Sequence, residues 1–119
     1  MSSKQLAPET LRVVAQRFKV LAEPARLEVL NALRQGPLNV TGLIEATGLN
    51  QANLSKHLQL LHASGFVTRR RDGLFVIYAI ADASVFTLCD LMCGQFERHA
   101  AAQVKRVRAT GAARAVISR

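Results

Sequence analysis

Cysteine is scarce in this chain: Cys89 and Cys93 are the only two among 119 residues. Two thiols four positions apart cannot form a disulfide framework, so reduced cysteines and a cytoplasmic setting are expected. No stretch approaches the ~20 uninterrupted apolar residues that a membrane helix needs. The opening MSSKQLAPET has no apolar run after its lysine, so neither a secretory signal nor a membrane partner is expected. Catalytic signatures are missing too. There is no glycine-rich phosphate loop, nucleophile elbow or His-Glu-x-x-His helix, and the eight carboxylates form no obvious acid–base pair. The chain does not read as an enzyme.

Acid is absent from two long stretches. Between Ala46 and Arg71 there is none, while Lys56, Arg69, Arg70 and Arg71 occur there. After Glu97 there is again none, while Arg98, Lys105, Arg106, Arg108, Arg114 and Arg119 follow. Sixteen Lys and Arg against eight Asp and Glu give a net charge of +8. Basic charge concentrated in particular segments suggests a polyanion, and nucleic acid is the commonest one. A merely solubilising surface is the plainer alternative.

Half the residues are hydrophobic, which suits one globular domain with a single modest core. Pro8 can open a first helix carrying Leu11, Val14, Ala15, Phe18, Leu21 and Ala22 at helical spacing. Pro24 starts a second, with Leu27, Leu30 and Leu33 along one face, and Gly36-Pro37 stops it. A short segment from Val40 to Ala46 offers Leu43, Ile44 and Ala46 to a core. Gly48 then allows a tight turn, and Asn50 can cap a fourth helix reaching Ala63. Next come two β-prone runs, Phe66–Arg71 and Leu74–Ile80, joined by Asp72-Gly73 as the expected two-residue loop. Asp82 opens a fifth helix with Val85, Leu88, Cys89, Met92 and Phe96 on one stripe. The expected fold is mainly α, a winged helix-turn-helix of five helices plus a two-stranded wing. Residues 1–102 form the DNA-binding and dimerisation domain, and residues 103–119 a basic, frayed tail.

The helix-turn-helix carries the chemistry. At about 100° per residue, Leu54, Leu58 and Leu61 cluster towards the core. Ala52, Ser55, Lys56 and Gln59 point the other way with Asn53 beside them, and Gln51 and His57 fall at the margins. Short polar side chains on an outward helix face can reach base edges in a major groove. Asn and Gln pair with adenine, Ser with either base class, and Lys with guanine or phosphate. For His57, a hydrogen bond at a packing boundary is as good a reading as a DNA contact. Arg69, Arg70 and Arg71 give the hairpin a positive tip suited to phosphate or minor-groove contact. Strand alternation sends Arg70 to the opposite face from the other two.

These phrases together resemble the ArsR-type (ArsR/SmtB) family of bacterial winged helix-turn-helix transcriptional repressors. The resemblance lies in Leu-Ala-x-Pro-x-Arg-Leu at Leu21 to Leu27 and Gln-x-x-x-Ser-x-His-Leu at Gln51 to Leu58. Leu-x-x-x-Gly at Leu61 to Gly65, and the Arg-Asp-Gly wing with its strand through Tyr78, extend it. It implies a homodimer built largely from the first and last helices, repressing transcription from double-stranded operator DNA until an inducer lowers its affinity. The apolar stripes on those two helices fit a dimer on their own account, with an intramolecular core as the alternative.

The family's familiar metal sites are not matched. Its cysteine cluster near the third helix corresponds to Leu38–Leu43, which has no cysteine. Its zinc site on the last helix corresponds to Asp82, Ser84, Gln95 and Arg98, of which only the first could ligate. Cys89 and Cys93 remain. Cysteine also packs as a small hydrophobe, and the helical stripe allows that reading. A sensing role has geometric support: i, i+4 Cβ atoms lie about 5–6 Å apart, too far for an unstrained disulfide at about 3.5–4.5 Å. A bridging thiophilic metal or metalloid, or a polysulfide link, closes that gap; an oxidant is a further candidate inducer. No cofactor is otherwise indicated. An architectural DNA-binding protein without regulation and a protein-binding winged helix are the alternative functions.

Overall fold

Pro8 and Pro24 each stand in the first turn of a helix, where a missing N–H forfeits no bond and the fixed φ suits the helix. The computed structural model describes residues 5–110. Helix α1 spans Pro8–Leu21 and α2 Pro24–Ala32, the latter continued by a single 3-10 turn, Leu33–Gln35. Strand β1, Leu38–Asn39, leads directly into α3, Val40–Thr47. Helix α4 spans Gln51–Ala63, strands β2 and β3 span Val67–Asp72 and Phe75–Ile80, and α5 spans Ser84–Thr110. The chain divides into two compact units, Met1–Asp82 and Ala83–Arg119.

In the first unit the core is aliphatic. Val20, Val29, Leu30, Leu33, Leu43, Leu54, Leu58 and Leu61 are all but sealed from solvent, and Phe66, Val67 and Tyr78 close it from the sheet side. Burying each leucine contributes about 1.5–3 kcal/mol relative to leaving it exposed. The leucine triplet of α4 is buried as its spacing predicts. In α2 the buried set differs from the expected one: Leu27 is 38% exposed and Val29 takes its place. Steps of three residues drift by about 60° each on a helix, so Leu27 and Leu33 cannot share one face. Ala46, expected in the core, is exposed at the end of α3.

Helix α1 departs further from its expected packing. Val20 is its one buried residue, whereas Leu11, Ala15 and Phe18 of the apolar stripe are exposed. The stripe is real, but the first unit does not consume it.

The sheet has three strands in the order β1-β3-β2, all antiparallel. Beyond the expected hairpin, Leu38 and Asn39 pair with Tyr78 and Ile77. This ties the entry to α3 onto the wing's inner strand. The Asn39 side chain then accepts a hydrogen bond from the Gly42 N–H at 2.8 Å, capping α3.

The second unit contains α5. The helix passes Gln103 without a break and continues to Thr110, as the good helix propensity of alanine and arginine allows. Arg114 and Arg119 of the basic tail lie outside the described residues.

Candidate nucleic-acid interface

The turn between α3 and α4 is built by local hydrogen bonds. Gly48 adopts φ +76° and its N–H reaches the Ile44 carbonyl, closing α3 with a left-handed residue that a Cβ would strain. Asn50 then opens α4, its side-chain oxygen accepting from the Asn53 N–H at 2.8 Å. Three residues, Gly48 to Asn50, thus separate α3 from α4.

The leucine ridge of α4 decides what faces outwards. Gln51, Ala52, Asn53, Ser55, Lys56 and Gln59 are all exposed. They form a polar face with one formal charge, beginning at a helix N-terminus whose dipole favours phosphate. His57 is placed differently. It is half-buried, and its Nδ1 lies 3.3 Å from Arg26 Nη1. A guanidinium can only donate, so in this contact Nδ1 is the acceptor. Arg26 also donates through Nε to the Val20 carbonyl. One side chain of α2 thus links the end of α1 to the middle of α4. The sequence flagged Arg26 only as part of a phrase; its bonds to Val20 and His57 have no local signal.

The hairpin loop is Gly73-Leu74, one residue beyond the expected Asp72-Gly73, because Asp72 still pairs with Phe75 in the ladder. Gly73 takes φ +64°, and among the described residues no non-glycine has positive φ. Glycine at the first central position is the requirement of a type II′ loop, whereas Asp-Gly would need positive φ at both positions. Leu74 is left 94% exposed at the tip.

The resulting register sets Arg69 opposite Tyr78, Arg70 opposite Ile77 and Arg71 opposite Val76. Paired residues share a face, so Arg69 and Arg71 lie on the face of buried Val67 and Tyr78, and Arg70 on the other. All three are exposed. The Arg70 guanidinium approaches Asp72 Oδ2 at 3.8 Å, both side chains well solvated. Such a pair contributes about 0–1 kcal/mol and partly offsets Arg70's charge. The β2 and β3 residues that share a face with Arg69 and Arg71 are Val67, Val76, Tyr78 and Ile80, none of them acidic.

The corner between α4 and β2 is closed by α1. Gly65 and Phe66 N–H groups bond the His62 and Leu61 carbonyls, while the Arg17 guanidinium donates to the Ser64 carbonyl and lies 4.3 Å over the Phe66 ring. No sequence pattern pointed to Arg17.

On α5, Cys89 is half-buried and Cys93 exposed, with Cys93 Sγ 3.8 Å from Glu97 Oε2. Among the described residues no three His, Cys, Asp or Glu side chains gather as a metal site. Two cysteines alone can serve a soft ion of low coordination number.

Comparison with known proteins agrees with this architecture. The family model for bacterial regulatory proteins of the arsR family matches residues 23–69. The transcriptional regulator NmtR of Mycobacterium tuberculosis is 39% identical over 88 residues, covering 74% of this chain and 73% of that protein. The crystal structure of M. tuberculosis Rv0081 superposes with a TM-score of 0.73 at 33% identity, over 83% of this chain and 99% of the other. A homodimeric winged helix-turn-helix DNA-binding domain from Mycobacterium bovis, that of a possible ArsR-family regulator, superposes with a TM-score of 0.69. It is 33% identical and covers 82% of this chain and 95% of its own. The leucine-backed helix α4, the glycine-tipped wing and these relatives together place the chain in the arsR family of bacterial regulatory proteins.

Proposed function

We propose that this protein is a homodimeric, sequence-specific repressor that binds operator DNA through α4 and its wing and releases it when an inducer acts at Cys89 and Cys93. The observation that carries the DNA reading is the outer face of α4. Six exposed residues, Gln51 to Gln59 without His57 and the leucines, are held rigidly over a buried leucine ridge. In this role Gln51, Asn53, Ser55, Lys56 and Gln59 face base edges and nearby phosphates, with Ala52 giving close approach or a contact to a thymine methyl. Arg69 and Arg71 anchor the wing on the backbone, and Arg70 does so more weakly. His57 orients the helix through Arg26.

The dimer is supported by apolar side chains left exposed within each unit. Phe18 is 52% exposed on α1 and Phe96 56% on α5, with Leu11, Leu91 and Met92 also exposed. Two copies would read half-sites about 34–36 Å apart, one DNA turn, and would do so in the cytoplasm, where the two thiols stay reduced. The M. bovis relative is itself a homodimer, which favours the same arrangement.

The test begins with selection of a preferred duplex from a random library, followed by competition against random duplex at fixed salt. Preference of at least about a thousandfold is expected for a specific regulator. Near-equal binding would identify an architectural protein, and no salt-dependent binding a protein-binding module. Thiophilic metal ions, polysulfide and peroxide are then added to the complex. Release by one of them, abolished in Cys89→Ser and Cys93→Ser, supports sensing; release that both variants retain assigns the cysteines to packing.

A further inference from the structure

Three contacts converge on one surface arginine. Arg17 projects from α1, forty-seven residues before the corner that it covers. Its Nη1 donates to the Ser64 carbonyl, at the C-cap of α4. Its guanidinium carbon lies 4.3 Å from the centroid of Phe66, the residue immediately before β2. Its Nη1 also lies 3.6 Å from where a Cβ on Gly65 would stand. Ser64, Gly65 and Phe66 are the whole connection between the reading helix and the wing, and Arg17 covers all three.

The backbone of this corner is already tied on one side. Phe66 N–H reaches back to Leu61 and its carbonyl accepts from Ala81 N–H at the end of β3. Those bonds fix Phe66 to both elements. The Ser64 carbonyl projects from the last turn of α4, where the helix has no N–H left to offer it. A planar guanidinium satisfies it while stacking on the ring, a combination that an ammonium cannot reproduce in one geometry.

We propose that Arg17 is a positioning residue for DNA recognition: it sets the angle between α4 and the wing, and transmits to that angle any displacement of α1. The proposal rests on the DNA-binding reading above. Its consequence is regulatory. Helix α1 carries an unconsumed apolar face, so the second copy of the chain proposed to seat there would hold Arg17, and Arg17 the corner. Arg17 touches no base or phosphate in this scheme.

The test compares the full-length protein with Arg17→Met and Arg17→Lys. Methionine keeps an aliphatic cover on Phe66 but donates nothing; lysine keeps one donor and the charge. Arg17→Met is expected to weaken binding to the selected duplex about tenfold, ~1.4 kcal/mol, with an unchanged dependence of log affinity on log salt. Arg17→Lys is expected to recover part of that loss. A direct phosphate contact would instead lower the salt slope by about 0.9, and that result overturns the proposal. So does wild-type affinity in folded Arg17→Met. Residual dipolar couplings of the free protein give a readout without DNA. In Arg17→Met the couplings of Val67–Ile80 should average relative to those of Gln51–Ala63, and unchanged couplings overturn the proposal. If the wild-type protein selects no duplex, the DNA reading fails while this second measurement still decides the role of Arg17.

Discussion

Lys56 is the one formally charged side chain on the outer face of α4, so most of that face can discriminate bases only by hydrogen bonding and shape. Gln59→Ala is therefore expected to cost about 1–3 kcal/mol on the preferred duplex and little on random DNA, relaxing one position of the site. Arg71→Ala is expected to weaken all duplexes alike and to lower the salt slope by about 0.9, as loss of one phosphate contact does. Quantitative binding across a salt series separates the two; the reverse pattern would exchange their reading and anchoring roles. Exposure of the residues on this face was legible because leucines at 54, 58 and 61 leave one direction for everything else. The partners of Arg17 and Arg26 were not legible. A long arginine reaches a carbonyl or a ring far away in sequence, and neither end of that contact has a periodic signal.

At the scale of elements, sequence patterns were clearest where two independent signals coincided. Helix α4 has both its leucine spacing and the Asn50 cap, and its boundaries match the expected ones. Asn50→Ala should cost about 0.5–2 kcal/mol of stability, measurable by urea denaturation. A change below this range would mean that solvent caps the helix as well as the side chain does. Strand β1 escaped notice because two residues cannot display alternation, and its pairing partner lies thirty-eight positions or more away. The hairpin loop was displaced by one residue for a related reason. Gly73 supplies positive φ in either loop type, and the choice was made by Asp72 remaining in the ladder opposite Phe75. The stripe on α1 was evident, but periodicity reveals that a face is apolar without saying what covers it.

For the whole molecule, a net charge of +8 favours a polyanion such as DNA, and in the proposed function two copies would give it a register. Phe96→Glu places a charge among exposed apolar residues of α5 without disturbing a buried site. Sedimentation is expected to show a shift from dimer to monomer, and binding of the selected duplex should fall by more than about tenfold, since one half-site alone then supplies the affinity. A variant that remains dimeric with unchanged affinity would remove Phe96 from the interface.

The strand order β1-β3-β2 has a consequence for solubility. A sheet's outer strands are templates on which foreign chains can add and polymerise. Here one outer strand is only two residues long, and the other carries Arg69, Arg70 and Arg71 in succession. Pairing a second copy of this strand along that edge would bring two runs of three arginines together, with Asp72 the one acid in each strand to offset them. The same three arginines that suit the wing to a polyanion thus guard it against fibrous assembly, a protection that the proposed dimer, seated on the apolar helices, would leave in place.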